Sequence, residues 1–291
     1  VYLRSKLAKY FLFHTAANWG TEREYVNLIE LLRVPFPLPG HEFVSPEAGQ
    51  IVRLVSLKFG KLRTRLQDTL NDMKTDAKRS SLFDDDVDIS KQWQRERKRQ
   101  IDALQTELEP MIYRYFGLTE QEITLVEDTN DVFEPSSTPT TWNSPKTVTL
   151  DPLEKTKIEP YASQSLGAYA NTLTNTLNTW AEAEGSNYRV HAEGGTDEQT
   201  GLAMITVKLA SIEAEFQQKP ISRNLAKNLR SFHSHASIEQ GALLYERDIL
   251  FFQGRQIHIV RPNVLLNWTR TAALNDAARI YGDIALAIED F

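Results

Sequence analysis

The sequence predicts an α+β protein: a mostly helical N-terminal region with a long helical hairpin, followed by a smaller α+β domain with antiparallel hairpins. Three observations predict it. Apolar residues recur every three or four positions over two long stretches before residue 116, the period of an amphipathic helix. Short β-branched runs bounded by turn residues cluster after residue 188. Between these regions lies a stretch rich in Thr, Ser and Pro, with Pro135, Pro139 and Pro145. The predicted organisation is a helical region over 1–128, a linker over 129–148 and an α+β domain over 149–291.

Residues 2–14 read as a helix, with Leu3, Leu7, Tyr10 and Phe11 on one stripe. Trp19-Gly20 breaks it. Thr21 with Glu24 has capping-box spacing and predicts a short helix through Leu28, Ile29 and Leu32. The run from Val34 to Pro39 alternates proline with other residues, which removes backbone donors and favours an extended path. Ser45-Pro46 predicts the start of a long helix, because proline suits the first helical position. Its apolar stripe is Val55, Phe59, Leu62, Leu66, Leu70 and Met73. After the acidic loop at Asp84, Asp85 and Asp86, a second long helix carries Trp93, Ile101, Leu104, Leu108, Ile112 and Tyr115, with Pro110 placed to kink it. Two long helices joined by a polar loop predict an antiparallel hairpin. Thr119 and Glu122 cap the next helix.

The second domain opens with a short strand at 147–150. A helix follows, with Leu166, Tyr169, Leu173, Leu177 and Trp180 on one side. Residues 188–192 and 202–209 read as strands joined by a polar turn at 194–201, and a helix follows around 222–230. Residues 248–252 and 256–260 flank Gly254, which predicts a tight hairpin. Asn275-Asp276 is a capping pair for a last helix over 277–288.

The chain has 291 residues, no cysteine and a formal net charge of −6. Without cysteine there is no disulfide, no thiolate metal site and no cysteine nucleophile, which suits a reducing cytoplasm. No apolar run approaches the ~20 residues of a membrane span, and no signal-peptide pattern is present. The expected setting is cytoplasmic, with no membrane partner. The start at Val1 inside an amphipathic segment is expected of a piece of a longer protein, and a trimmed or processed start reads the same way.

Overall acidity argues against broad nucleic-acid binding, but the charge is uneven. Residues 1–79 hold 13 Lys/Arg against 8 Asp/Glu, while residues 80–150 hold 7 against 14 and residues 151–291 hold 13 against 17. Arg4, Lys6, Lys9, Lys58, Lys61, Arg63 and Arg65 are therefore the candidate phosphate contacts. Lys58, Lys61 and Arg65 share a helix face. The alternative is that these side chains keep an exposed hairpin solvated.

Catalytic signatures are missing. There is no Gly-x-Gly-x-x-Gly, no P-loop, no Gly-x-Ser-x-Gly and no Pro-Pro dipeptide. His233 and His235 could share a metal, but the signal is weak because no third ligand is specified and thiolates are missing, and the expected reading is a solvated loop pair. His14 reads as a packing histidine. Asp151, Glu154, Lys155 and Lys157 have the wrong spacing for a metal-dependent nuclease, and Glu182/Glu184 is a carboxylate pair expected by chance.

Three segments carry a resemblance. They are Ser5-Lys6-Leu7-Ala8-Lys9-Tyr10 running on through His14-Thr15 into Trp19-Gly20-Thr21-Glu22-Arg23; Leu32-Arg33-Val34-Pro35-Phe36-Pro37-Leu38-Pro39; and Ile259-Val260-Arg261-Pro262 with Trp268-Thr269-Arg270-Thr271-Ala272-Ala273-Leu274-Asn275-Asp276-Ala277. Together they resemble the C-terminal portion of bacterial N6-adenine DNA methyltransferase proteins of restriction–modification and phage-defence systems. The resemblance is strongest over about residues 2–40 and 245–280. It implies that the catalytic domain, with its S-adenosylmethionine turn and Asn-Pro-Pro-Tyr loop, lies on preceding polypeptide. No cofactor is then expected in this chain, and no catalytic residue carries over. The implied partners are double-stranded DNA, the N-terminal methyltransferase domain and other restriction–modification or defence subunits. Base extrusion by such an enzyme requires the flanking duplex to be held, which a basic helical arm could do. Trp268 and Arg270 could contact bases, or equally form a structural corner of the second domain. The alternative function is a protein–protein interaction module of a defence complex, which predicts apolar residues left exposed on the hairpin.

Overall fold

The computed structural model of the chain describes residues 1–16, 26–80, 89–134, 166–186, 188–197, 202–210, 216–219, 221, 227 and 248–289. The fold is α+β and divides into two compact units, Val1–Asn130 and Asp131–Phe291. The Trp19-Gly20 break, the capping pair Thr21/Glu24, the acidic loop at 84–86, the strand at 147–150, the helix around 222–230 apart from residue 227, the Asp151 to Lys157 motif and the histidines at 233 and 235 lie outside the described residues.

In the first unit the expected helix over 2–14 is divided. A 3-10 turn, Tyr2–Arg4, leads into α1, Lys6–Thr15, with Ser5 extended between them. Ser5 Oγ accepts from the Ala8 backbone N–H at 3.1 Å, the geometry of an N-cap. The cap sets the phase of the helix. Ser5, Ala8, Leu12 and Ala16 are buried, whereas Leu3 is exposed and Leu7, Tyr10 and Phe11 are half-buried. Periodicity favoured the large side chains. Close packing against Val26, Leu31 and Val34 selected Ala8, Leu12 and Ala16. The Lys6 backbone N–H donates to Glu109 Oε1 at 2.5 Å and Asn130 Nδ2 donates to the Lys6 carbonyl at 2.9 Å.

Helix α2, Leu28–Leu32, is opened by Asn27, whose backbone N–H donates to Glu30 Oε2 at 2.9 Å. The proline run that follows forms neither helix nor strand. Its carbonyls still accept hydrogen bonds. Tyr2 Oη donates to the Pro35 carbonyl at 2.8 Å and Tyr115 Oη to the Pro37 carbonyl at 2.6 Å.

Helix α3, Ala48–Ser80, and α4, Ile89–Phe116, pack together. Their cross-links run in opposite order: Glu47 with Arg114, Lys58 with Glu107, and Thr69 with Gln100. As one number rises the other falls, so the pair is an antiparallel hairpin. Ile51 and Leu62 of α3 are buried, and Val55, Leu66, Leu70 and Met73 are half-buried, but Phe59 points to solvent. Helix α5, Glu120–Asp128, carries the expected Thr119/Glu122 capping box, with bonds of 2.8 and 3.3 Å. It continues as a π-helical turn, Thr129–Phe133, where composition had placed the start of the linker. Burial of Asp128 and Val132 carries the helix past that point.

Among the described residues the second unit is a five-stranded sheet with two long α-helices packed on one face. The elements are α6 (Leu166–Ala183), β1 (Arg189–Asp197), β2 (Leu202–Ala210), β3 (Gln217–Gln218), β4 (Ile249–Gln253), β5 (Gln256–Pro262) and α7 (Arg270–Glu289). Strand order is β3-β1-β2-β5-β4. All pairs are antiparallel except β1 with the two-residue β3. Leu173, Ile205, Ile259 and Ile280 are fully buried in the shared core, each contributing roughly 1.5–3 kcal/mol of hydrophobic stabilisation.

Two expectations are corrected here. Gly194 and Gly195 lie inside β1, not in a turn. A Cβ on Gly194 would stand 2.4 Å from Ile205 Cδ1 and 2.7 Å from the Met204 carbonyl, so glycine serves a close approach. Gly254, by contrast, is the turn of the β4–β5 hairpin, with φ +61°. The last helix begins before the predicted Asn275-Asp276 cap. Thr269 Oγ1 accepts from the Ala272 N–H at 3.0 Å, and Asp276 lies one to two turns inside α7.

Candidate nucleic-acid and docking surfaces

The cations of α3 divide between its two flanks. Positions 58, 61 and 65 fall within a narrow arc of the helix, as their spacing predicts. Lys58 is committed to Glu107 across the hairpin. Lys61 and Arg65 are exposed and make no ion pair among the described residues. Arg63 lies on the opposite flank, in line with Val52, Ser56 and Phe59 at four- and three-residue steps. Between positions 48 and 67 the helix carries five Lys/Arg and no Asp/Glu, so none of these charges is offset by an acid on that stretch of its own helix. On α4, Glu96 is the one acid between positions 91 and 99. Hydrogen bonds from Arg99 and Gln100 hold its carboxyl down to about 2, and Arg95 and Arg97 are exposed with no ion pair among the described residues.

The N-terminal cations are placed differently. Arg4 pairs with Asp102 at 3.1 Å, which also receives Lys98 at 3.2 Å. Arg4, Lys6 and Lys9 line a cleft of about 610 Å³ together with Asp102, Glu109 and Glu127. Its mixed charge makes it a poor phosphate funnel. The structure therefore does not bring the seven candidate cations into one patch.

A second groove of about 520 Å³ is apolar. Val34, Ile51, Val55, Ile112, Tyr115 and Phe116 are among the residues lining it, with Val1, Leu3, Phe36 and Val52 exposed at its edge. The Phe36 ring stacks between Tyr2, at 5.2 Å, and Tyr115, at 6.1 Å. Burial pushes the Tyr2 hydroxyl up to about 12, so it stays a donor to Pro35. This groove was not read from the sequence. Its one signal was the aromatic and leucine residues between the prolines, which cannot turn their backs on solvent in an extended chain.

In the second unit Trp268 is fully buried, and its ring is not available to a base. Its Nε1 donates to the Pro262 carbonyl at 3.1 Å, and its ring meets Tyr169 edge-to-face at 4.9 Å. The Arg261 guanidinium sits 5.8 Å from the indole centroid. Arg261 binds Asp248 through Nε and Nη2, both at 2.9 Å, and Asp276 through Nη1 and Nη2, both at 2.7 Å. Burial opposes its charge, but the hydrogen bonds to Asp248 and Asp276 prevail and keep it protonated. Tyr169 Oη donates to Asp276 Oδ2 at 2.6 Å, and burial followed by the Asp276 charge holds this phenol well above its usual range. This corner closes the core. Arg270 begins α7, half-buried.

The remaining candidates within the described residues are otherwise placed. Glu182 pairs with Arg189 at 3.1 Å and Glu184 accepts from Tyr281, so the two carboxylates are separately committed. His14 is exposed and rests against the edges of Tyr10 and Phe13. Among the described residues no three His, Cys, Asp or Glu side chains are grouped to hold a metal, and no helix is long and apolar enough to cross a membrane. Compared with known protein families, curated proteins and solved structures, the chain matches none of them.

Proposed function

We propose that this chain is the non-catalytic, DNA-holding and scaffolding part of a cytoplasmic adenine-specific DNA methyltransferase-like protein of the restriction–modification or phage-defence type. Methyl transfer and S-adenosylmethionine belong, on this reading, to a preceding domain. The observation that supports it is the flank of α3 where Lys61 and Arg65 stand exposed and unpaired on a helix free of acids between positions 48 and 67. A rigid two-helix arm bearing uncompensated cations grips phosphates without reading sequence. The test is anisotropy of a labelled duplex at several salt concentrations. Salt-sensitive binding that weakens in a Lys61→Gln/Arg65→Gln variant supports DNA holding. Absence of binding at about 50 mM salt removes direct DNA contact and leaves scaffolding alone.

The exposed apolar groove of the first unit favours a second reading, in which the same unit docks another protein. Val52, Leu57 and Phe59 of the hairpin are exposed, the pattern that a docking module requires.

A further inference from the structure

We infer that the apolar groove of the first unit receives an acidic amphipathic helix from a partner protein. The groove is preformed. Tyr2 and Tyr115, which flank Phe36, are each tied by a hydroxyl to the proline run, at 2.8 and 2.6 Å. With both hydroxyls so used, the lining side chains offer one uncommitted hydroxyl, Ser56. A base or a phosphate entering such a groove would leave its own polar edges unpaired, whereas an apolar helix face loses nothing.

The groove also has direction. Val52, Ser56 and Phe59 extend from it along one flank of α3 and end at Arg63. Eleven residues of helix span roughly 16 Å, about the rise of three turns, so a ligand helix laid alongside would present apolar side chains at three- and four-residue steps.

Charge decides which helix fits. Arg33 precedes Val34, Arg53 follows Val52, and Arg63 closes the stripe; all three are exposed and none makes an ion pair among the described residues. Between positions 30 and 63 there are three acids against these three arginines, and two are engaged, Glu47 by Arg114 and Glu30 by the Asn27 backbone, which leaves Glu42 alone to offset them. The occupant must therefore bring its own carboxylates. A second copy of this chain docked by two-fold symmetry would set the same patch against itself, with cation facing cation.

The test uses the full chain and a labelled synthetic helix of about 18 residues, with leucines on one face and glutamates on its flanks. Its controls are a scrambled peptide of the same composition and an analogue with lysine replacing glutamate. The glutamate helix is expected to bind at least roughly tenfold more tightly than either control. Val52→Glu/Phe36→Glu is expected to weaken it by a similar factor, while Lys61→Gln/Arg65→Gln leaves it unchanged, which separates this inference from the DNA reading. Arg33→Glu/Arg53→Glu/Arg63→Glu changes exposed residues alone and is expected to reverse the preference toward the lysine helix. Equal binding of scrambled and ordered peptides, no reversal, displacement of the peptide by an oligonucleotide, or a dimer in sedimentation that Phe36→Glu dissociates would each overturn it.

Discussion

Arg261 and Asp276 form a two-pronged ion pair inside the second unit, Nη1 to Oδ2 and Nη2 to Oδ1, both at 2.7 Å. Both side chains are less than a tenth exposed. Such a pair contributes little net stability when intact, because both ions were removed from water, but breaking it strands a charge. Asp276→Ala is expected to cost about 3 kcal/mol, the low end of the ~3–5 kcal/mol range, because Asp248 still faces the guanidinium. Urea unfolding followed by tryptophan fluorescence reads this, Trp268 being the neighbour of Arg261. A loss below about 1 kcal/mol would mean that the network is not holding the corner.

Glycines 194 and 254 are expected to respond to alanine for different reasons. At Gly194 the added Cβ collides with Ile205 Cδ1 and the Met204 carbonyl, and backbone cannot easily yield. Overpacking of this kind costs about 1–3 kcal/mol. At Gly254 nothing lies within 4 Å, so the cost is only that of a left-handed backbone, about 1 kcal/mol. Thermal unfolding of the two variants should rank Gly194→Ala below Gly254→Ala, and the opposite order contradicts the register of β1 on β2.

His258 gives the second unit a pH dependence. Its Nδ1 lies 3.0 Å from Thr206 Oγ1, its ring stacks on Phe251, and Glu193 and Lys208 share its face of the sheet. Burial first, and then the Lys208 charge, lower its proton affinity in the folded state. The unfolded chain therefore binds the proton more readily, and stability must fall as pH drops through the ordinary histidine value of ~6.5. His258→Gln, neutral throughout, is expected to flatten that part of the stability curve between about pH 7.5 and 5.5. An unchanged slope in the variant would assign the effect to another group.

Patterns repeated along the chain were legible in the sequence. The long stripes through Leu62 and Leu108, the face of α6 through Leu173, and the Gly254 hairpin each repeat one signal several times, and on the first of these burial follows it everywhere but at Phe59. Single residues misled where two physical roles share one residue type. Ser5 reads as an ordinary polar position within a helical run but ends the 3-10 turn and caps α1, rotating the buried stripe onto Ala8 and Leu12. Ser5→Ala is expected to cost about 1 kcal/mol of stability in urea unfolding. Asp276 reads as a cap, yet its partner Arg261 is 15 residues away and no local pattern names it. The candidate cations were legible as a list but not as a surface, because the sequence does not reveal that Arg4 finds Asp102 or that Lys58 finds Glu107.

The split among those cations gives the sharpest reading of the proposed DNA contact. Each phosphate neutralised by a free cation adds about 0.9 to the slope of log affinity against log salt. Lys61 and Arg65 are free, so Lys61→Gln/Arg65→Gln is expected to reduce the slope by about 1.8. Arg4 already shares Asp102 with Lys98, so Arg4→Gln should leave the slope near its original value. Cations acting only as a diffuse positive field would instead make all substitutions weaken binding in proportion to charge removed, with Arg4→Gln counting as half of the double variant. The difference between those slopes separates a defined phosphate grip on one flank of α3 from general attraction.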